Sequence, residues 1–144
     1  MAADGRSPDD WSMTTCVIAD DHEQVLESVS AYLTSEGYDV VGRASTAAEA
    51  IRLLSELRPD VAVVDYRLPD ATGIDIARAL SVGRPAPVTL LLSGEATRAV
   101  VAEAIAAGVS GVVLKESAPV TLARAIETVL AGKRYIDPKL RRRS

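Results

Sequence analysis

Apolar residues along the chain fall into short unbroken runs that alternate with stretches of helical spacing. Cys16 to Ala19 is such a run, ending in Asp20-Asp21. Val25, Leu26, Val29, Tyr32 and Leu33 then recur at helical intervals until Gly37 stops them. Tyr38 to Val41 predicts a second strand. A helix follows in which Ala47, Ala50, Ile51, Leu54 and Leu57 share one face, with Ser45 or Thr46 as its cap and Pro59 closing the unit. Val61 to Val64 is a third strand, and the loop from Asp65 to Gly73 leads to a short helix over 74–80. The fourth strand, Val88 to Leu92, precedes a helix through Val100, Val101, Ala104 and Ile105. The fifth, Val112 to Leu114, precedes one with Leu122, Ile126, Val129 and Leu130.

Strands that are apolar throughout are buried on both faces, and crossover helices between them enforce parallel pairing. The pattern predicts a doubly wound α/β fold, (βα)5: a five-stranded parallel sheet with helices on both faces. Length and composition agree with one globular domain, at 144 residues, 48% apolar and 25% charged. The single cysteine, Cys16, excludes an internal disulfide and a cysteine-based zinc site, and reads as a buried structural thiol.

No apolar run approaches the roughly 20 residues of a membrane span, and the acidic lead with Asp4, Asp9 and Asp10 is unlike a secretory signal. The expected location is the cytoplasm. The net charge of −4 divides unevenly, with −2 over residues 1–13, +5 over 133–144 and −7 between them. An acidic body disfavours nucleic acid. Lys133, Arg134, Lys139 and Arg141 to Arg143 read as a solvated basic linker. Residues 1–13 and the end beyond about Tyr135 are expected to be disordered.

Ligands of an open parallel sheet bind beyond the carboxyl ends of its strands. Strand one leaves through Asp20-Asp21, strand three through Asp65, strand four through Ser93 and strand five through Lys115. Three carboxylates at one edge repel one another and favour a hard dication such as Mg²⁺, which takes oxygen ligands and keeps several waters. A solvated acidic turn is the plain alternative for any one of these aspartates; the hydroxyl and the amine beside them argue against it.

These residues resemble a response-regulator receiver domain of bacterial two-component signalling over residues 14–132. Asp20-Asp21 is similar to the family's metal-binding pair, and Asp65, 45 residues after Asp20, stands where the family has its phosphoacceptor. Asp65-Tyr66-Arg67-Leu68-Pro69-Asp70-Ala71-Thr72-Gly73 is similar to its Asp-x-x-x-Pro-x-x-x-Gly stretch. Ser93 matches its hydroxyl position and Lys115, 22 residues on, its lysine. The resemblance implies a flavodoxin-like fold. It also implies Mg²⁺, replaceable by Mn²⁺, on Asp20, Asp21, Asp65 and the backbone carbonyl of Arg67. Asp65 would take a phosphoryl group from a sensor histidine kinase, Lys115 would pair with a phosphoryl oxygen, and Ser93 would move inward to bond another.

Lys115 to Pro119 and Ala131 to Pro138 resemble receivers of the NarL/FixJ type, which precede a helix-turn-helix DNA-binding domain. Residues 133–144 then read as a linker to an output domain absent from this chain, or as the free tail of a stand-alone receiver acting through protein contacts. A homodimer on phosphorylation is implied, with DNA reached only through the absent domain and no membrane contact. An aspartyl-phosphate phosphotransferase is the enzymatic alternative. Such enzymes want a second carboxylate two residues after the nucleophile, where this chain has Arg67. Two departures from the family stand out: Val112 at a position often aromatic, and Glu116 where many members have proline. The single histidine, His22, reads as a surface residue opening helix one, and Trp11 as part of the lead.

Overall fold

The computed structural model describes residues 13–82 and 86–142, the last two by backbone alone. The lead through Trp11 and the terminal Arg143-Ser144 lie outside the described residues. The elements alternate as the spacing predicts: β1 (Thr15–Ala19), α1 (Glu23–Ser35), β2 (Asp39–Ala44), α2 (Ala47–Leu57), β3 (Val61–Asp65) and α3 (Gly73–Leu80). They continue with β4 (Val88–Ser93), α4 (Arg98–Ala106), β5 (Gly111–Leu114), α5 (Leu122–Leu130), β6 (Tyr135–Ile136) and α6 (Pro138–Arg142).

The sheet is parallel throughout, in the order β2-β1-β3-β4-β5-β6. The expectation of five strands is corrected to six. Beyond β5 the chain turns back and lays Tyr135 and Ile136 beside Gly111 and Val112. Gly111 permits this close approach, because a Cβ there would stand 3.0 Å from the Tyr135 carbonyl oxygen and 2.5 Å from Leu90 Cδ2. Disorder beyond Tyr135 is corrected as well, since residues 135–142 form a strand and a helix. The basic residues suggest a solvated linker, and Lys133, Arg134 and Lys139 are indeed exposed, but the Leu140 side chain next to Lys139 is buried.

Alternation along the strands feeds two separate cores. Val17, Ala19, Ala62, Val64, Leu91, Val112 and Leu114 pack with α2, α3, α4 and Leu140. Cys16, Ile18, Val61, Val63, Leu90, Leu92 and Val113 pack with α1 and α5. Thr46 caps α2 by accepting from the Glu49 amide. Thr72 and Asp75 form a reciprocal capping box on α3.

The Asp65–Gly73 loop is tied down at both ends. Gly73 donates its amide to the Tyr66 carbonyl at 2.9 Å, and a Cβ on Gly73 would stand 2.6 Å from the Asp65 carbonyl oxygen. The loop's midpoint reaches across to α2, where the Asp70 carboxylate accepts from the amides of Ala47 and Ala48 at 2.7 and 3.0 Å. Those amides, at the start of a helix, have no partner within it. Among the described residues the one cis peptide bond is Ala118–Pro119, three residues beyond the bond that joins Lys115 to Glu116.

Candidate functional site

The four strand-end groups converge at the carboxyl edge of the sheet. Asp20, Asp65 and Ser93 are buried there, with relative exposures of 1%, 4% and 1%. Burying carboxylates at this cost requires compensation, and Lys115 supplies it. Its ammonium lies 3.1 Å from Asp20 Oδ2 and donates a hydrogen bond to Asp65 Oδ2 at 3.0 Å. Lys115 is itself positioned by the sheet, since its amide donates to the Ser93 carbonyl at 2.8 Å, continuing the β4–β5 ladder. A cleft over this edge is lined by Asp21, His22, Asp65, Arg67, Ser93 and Lys115, among others.

The remaining oxygens are held by local chain. Asp20 Oδ1 accepts from the His22 amide at 2.8 Å and lies 3.0 Å from the His22 ring nitrogen Nδ1, which also approaches Asp21 Oδ1 at 3.1 Å. His22 is the residue before α1, as expected, but its ring caps no amide of that helix and turns to the carboxylates instead. Asp65 Oδ1 accepts from the Arg67 amide at 3.3 Å. The Arg67 guanidinium stands over the Tyr66 ring, 5.5 Å from its centroid.

Electrostatics follow from this crowding. Burial pushes the Asp65 carboxyl above its ordinary value, and the charge of Asp20 adds to the rise against the opposing bond from Lys115. Burial lowers the Lys115 ammonium, but its contacts with Asp65 and Asp20 outweigh that and the net direction is upward.

Ligand atoms of Asp20, Asp21, His22 and Asp65 all lie within 4.8 Å of one another. The donor set is predominantly hard oxygen, and buried Asp20 Oδ2, although close to the Lys115 nitrogen, accepts no aligned hydrogen bond. An oxygen so placed suits a dication, so the cluster fits a metal of the Mg²⁺ kind.

Ser93 is present but committed elsewhere, its hydroxyl donating to the backbone carbonyl of Glu95. Val112 is wholly buried, and its carbonyl accepts from the Asp137 amide at 2.9 Å. Sequence reasoning missed Asp137. Its signal was the Asp-Pro pair, an N-cap with proline at the first helical position, masked by the basic residues around it. Cys16 is a buried thiol as read, pushed up to about 12 by burial and by the charges of Asp60 and Asp39.

Comparison with known proteins agrees with this geometry. Residues 16–127 match the model of the response regulator receiver domain. The chain is 39% identical over 126 residues to the DNA-binding transcriptional activator DevR/DosR of Mycobacterium tuberculosis, covering 87% of this chain and 58% of that protein. It is 33% identical over 129 residues to the transcriptional regulatory protein DesR of Bacillus subtilis, covering 89% and 64%. The chain thus spans less than two thirds of the length of either regulator. Among solved structures, a two-component response regulator of the LuxR family from Aurantimonas sp. SI85-9A1 superposes with a TM-score of 0.85 at 35% identity, covering 90% of this chain and 94% of that one. The signal receiver domain of the putative response regulator NarL from Mycobacterium tuberculosis superposes with a TM-score of 0.80 at 32% identity, covering 84% and 98%. By its sequence, its parallel sheet and its acidic edge, the chain belongs to the response regulator receiver domain family.

Proposed function

We propose that Asp65 is the phosphoacceptor of this receiver, that Asp20, Asp21, Asp65 and the Arg67 carbonyl hold Mg²⁺ or Mn²⁺, and that Lys115 and Ser93 bind the phosphoryl group. The observation that carries the reading is the pairing of Asp65 with Lys115 at 3.0 Å beside buried Asp20. One Asp65 oxygen attacks phosphorus in line. A P–O bond forms as the P–N bond of a kinase phosphohistidine breaks, and the departing imidazole keeps the electron pair and takes a proton from solvent. When bound, the dication supplies positive charge opposite the phosphoryl oxygens. Lys115 lies already within reach of an oxygen on Asp65, so it can follow the new group with little rearrangement.

The charge change drives the response. Three carboxylates, one ammonium and a dication sum to neutrality, and a doubly charged acyl phosphate in place of the Asp65 carboxylate leaves a net negative charge. Ser93 then exchanges the Glu95 carbonyl for a phosphoryl oxygen, a differential contact that biases the loop before α4. This makes the chain a phosphoacceptor rather than a turnover enzyme. Its donor is a sensor histidine kinase in the cytoplasm, and its output is transcription, as the names of its relatives suggest, exerted through dimerisation and a DNA-binding domain.

Incubation with acetyl phosphate and Mg²⁺, followed by intact-mass analysis, tests the assignment. The native chain gains one phosphate and Asp65→Asn gains none. A phosphate on that variant would place the nucleophile elsewhere.

A further inference from the structure

The segment after Gly132 lies beyond the residues that match the family model, which end at 127. It nevertheless reaches the site, because its contacts fall on both neighbours of Lys115. On one side, Leu114 donates its amide to Asp137 Oδ2 at 2.9 Å, a buried bond that spans 23 residues. On the other, Glu116 pairs with Lys139, Oε2 to Nζ at 3.3 Å. Asp137 is itself 2% exposed, and its second oxygen accepts from the Lys139 amide at 3.0 Å. Its own amide donates to the Val112 carbonyl, and Leu140 is buried one turn later.

A carboxylate this buried, accepting backbone amides through both oxygens, is a fixed point rather than a surface ornament. These amide bonds hold its carboxyl below the ordinary range against the opposing effect of burial. The Glu116–Lys139 pair is half exposed and worth little alone, so the weight rests on Asp137. We propose that Asp137 is a positioning residue for Lys115: by holding the Leu114 amide it fixes the end of β5, and so couples the docking of residues 135–140 to occupancy of the Asp65 site. The proposal rests on the phosphoacceptor reading above. Coupling of this kind is reciprocal. A phosphoryl group that engages Lys115 stiffens the end of β5 and so strengthens the Leu114–Asp137 bond, and loosening that bond weakens the hold of Lys115 on the group. Glu116, a departure from the family's proline, adds a second, weaker tie on the far side of the lysine.

Beryllofluoride with Mg²⁺ serves as the phosphoryl mimic, and Mg²⁺ alone as the control, because the metal ligands do not include Lys115. In Asp137→Ala, beryllofluoride affinity should fall by about tenfold while Mg²⁺ affinity and the far-ultraviolet dichroism stay unchanged, and Leu114 amide exchange should quicken. A purely structural role would move stability without separating the two affinities. In the native chain, beryllofluoride should alter the exchange of the Leu114 amide and of residues 135–140. If Asp137→Ala does not fold, Asp137→Asn, which keeps one acceptor oxygen, should show a smaller loss of the same sign. Unchanged beryllofluoride affinity in a folded variant whose Leu114 amide exchanges faster would overturn the proposal. A native chain that binds Mg²⁺ but no beryllofluoride would instead overturn the phosphoacceptor reading, and this one with it.

Discussion

The Ser93 hydroxyl donates to the carbonyl of Glu95, so the hydroxyl that ends β4 is engaged by its own loop. A charge-assisted bond to a phosphoryl oxygen is worth about 1.5–3 kcal/mol, against about 0.5–1.5 kcal/mol for the neutral bond it replaces. Ser93→Ala should therefore still be phosphorylated at Asp65. Its beryllofluoride-induced amide shifts over residues 93–107 should shrink, and any phosphorylation-dependent dimer should weaken by about tenfold or more. Nuclear magnetic resonance and sedimentation read the two effects, and full native shifts in the variant would remove Ser93 from the pathway. Val112 should stay nearly still, clasped as it is by the Asp137 amide.

Asp65→Asn should stabilise the metal-free protein at neutral pH by about 1 kcal/mol, because it removes a buried charge beside Asp20. The sign follows from linkage. A carboxyl raised by folding carries a penalty that is fully present above its folded value and fades as pH falls through that value toward the ordinary 3.8. The advantage of the variant in chelator should thus shrink on acidification. Saturating Mg²⁺ should reverse the ranking, since a metal at a hundred times its Kd adds about 2.7 kcal/mol to the form that binds it. Thermal melts with and without Mg²⁺, across pH 4 to 7, check all three statements.

Gly73→Ala should cost about 1–3 kcal/mol through overpacking, read as a lower denaturant midpoint at unchanged slope. The added methyl would meet the Asp65 carbonyl oxygen and Leu91 Cδ1, both at 2.6 Å. Backbone cannot yield as a side chain can, so Asp65 would shift and Mg²⁺ affinity would fall too. Native affinity in a destabilised variant would show that the loop relaxes without moving the carboxylate.

Cys16 should resist thiol reagents. With its value near 12 against the ordinary 9.0, the thiolate at pH 8 is about a thousandfold scarcer than for a free thiol. Labelling should track global opening and accelerate in denaturant; rapid native labelling at pH 8 would contradict the burial.

The strands and helices were legible because their periods are strong and their stops, Gly37 and Pro59 among them, are unambiguous. The strand-end groups were legible because a parallel sheet brings its carboxyl ends to one edge. β2 runs to Ala44, beyond the expected Val41, because an edge strand tolerates Gly42 and Arg43. What spacing could not reveal are bonds set by tertiary approach. Asp70 reaches the first amides of α2 across more than 20 residues. Asp137 reaches Leu114 in the same way, and two apolar residues between Arg134 and Asp137 are too short a run to announce a strand. The glycine of the Asp65 loop was visible as a motif position, but the reason for it is the carbonyl lying against it.

The two cores also sort the site. Following each strand's alternation, Asp20, Asp65 and Lys115 share the parity of Ile18, Val63 and Val113, on the side of α1 and α5, whereas Ser93 shares that of Leu91, on the side of α3 and α4. The sheet is then like a sheet of paper written on both sides. Charge is inscribed on one side and the hydroxyl on the other, and a group bridging Lys115 and Ser93 is legible from both.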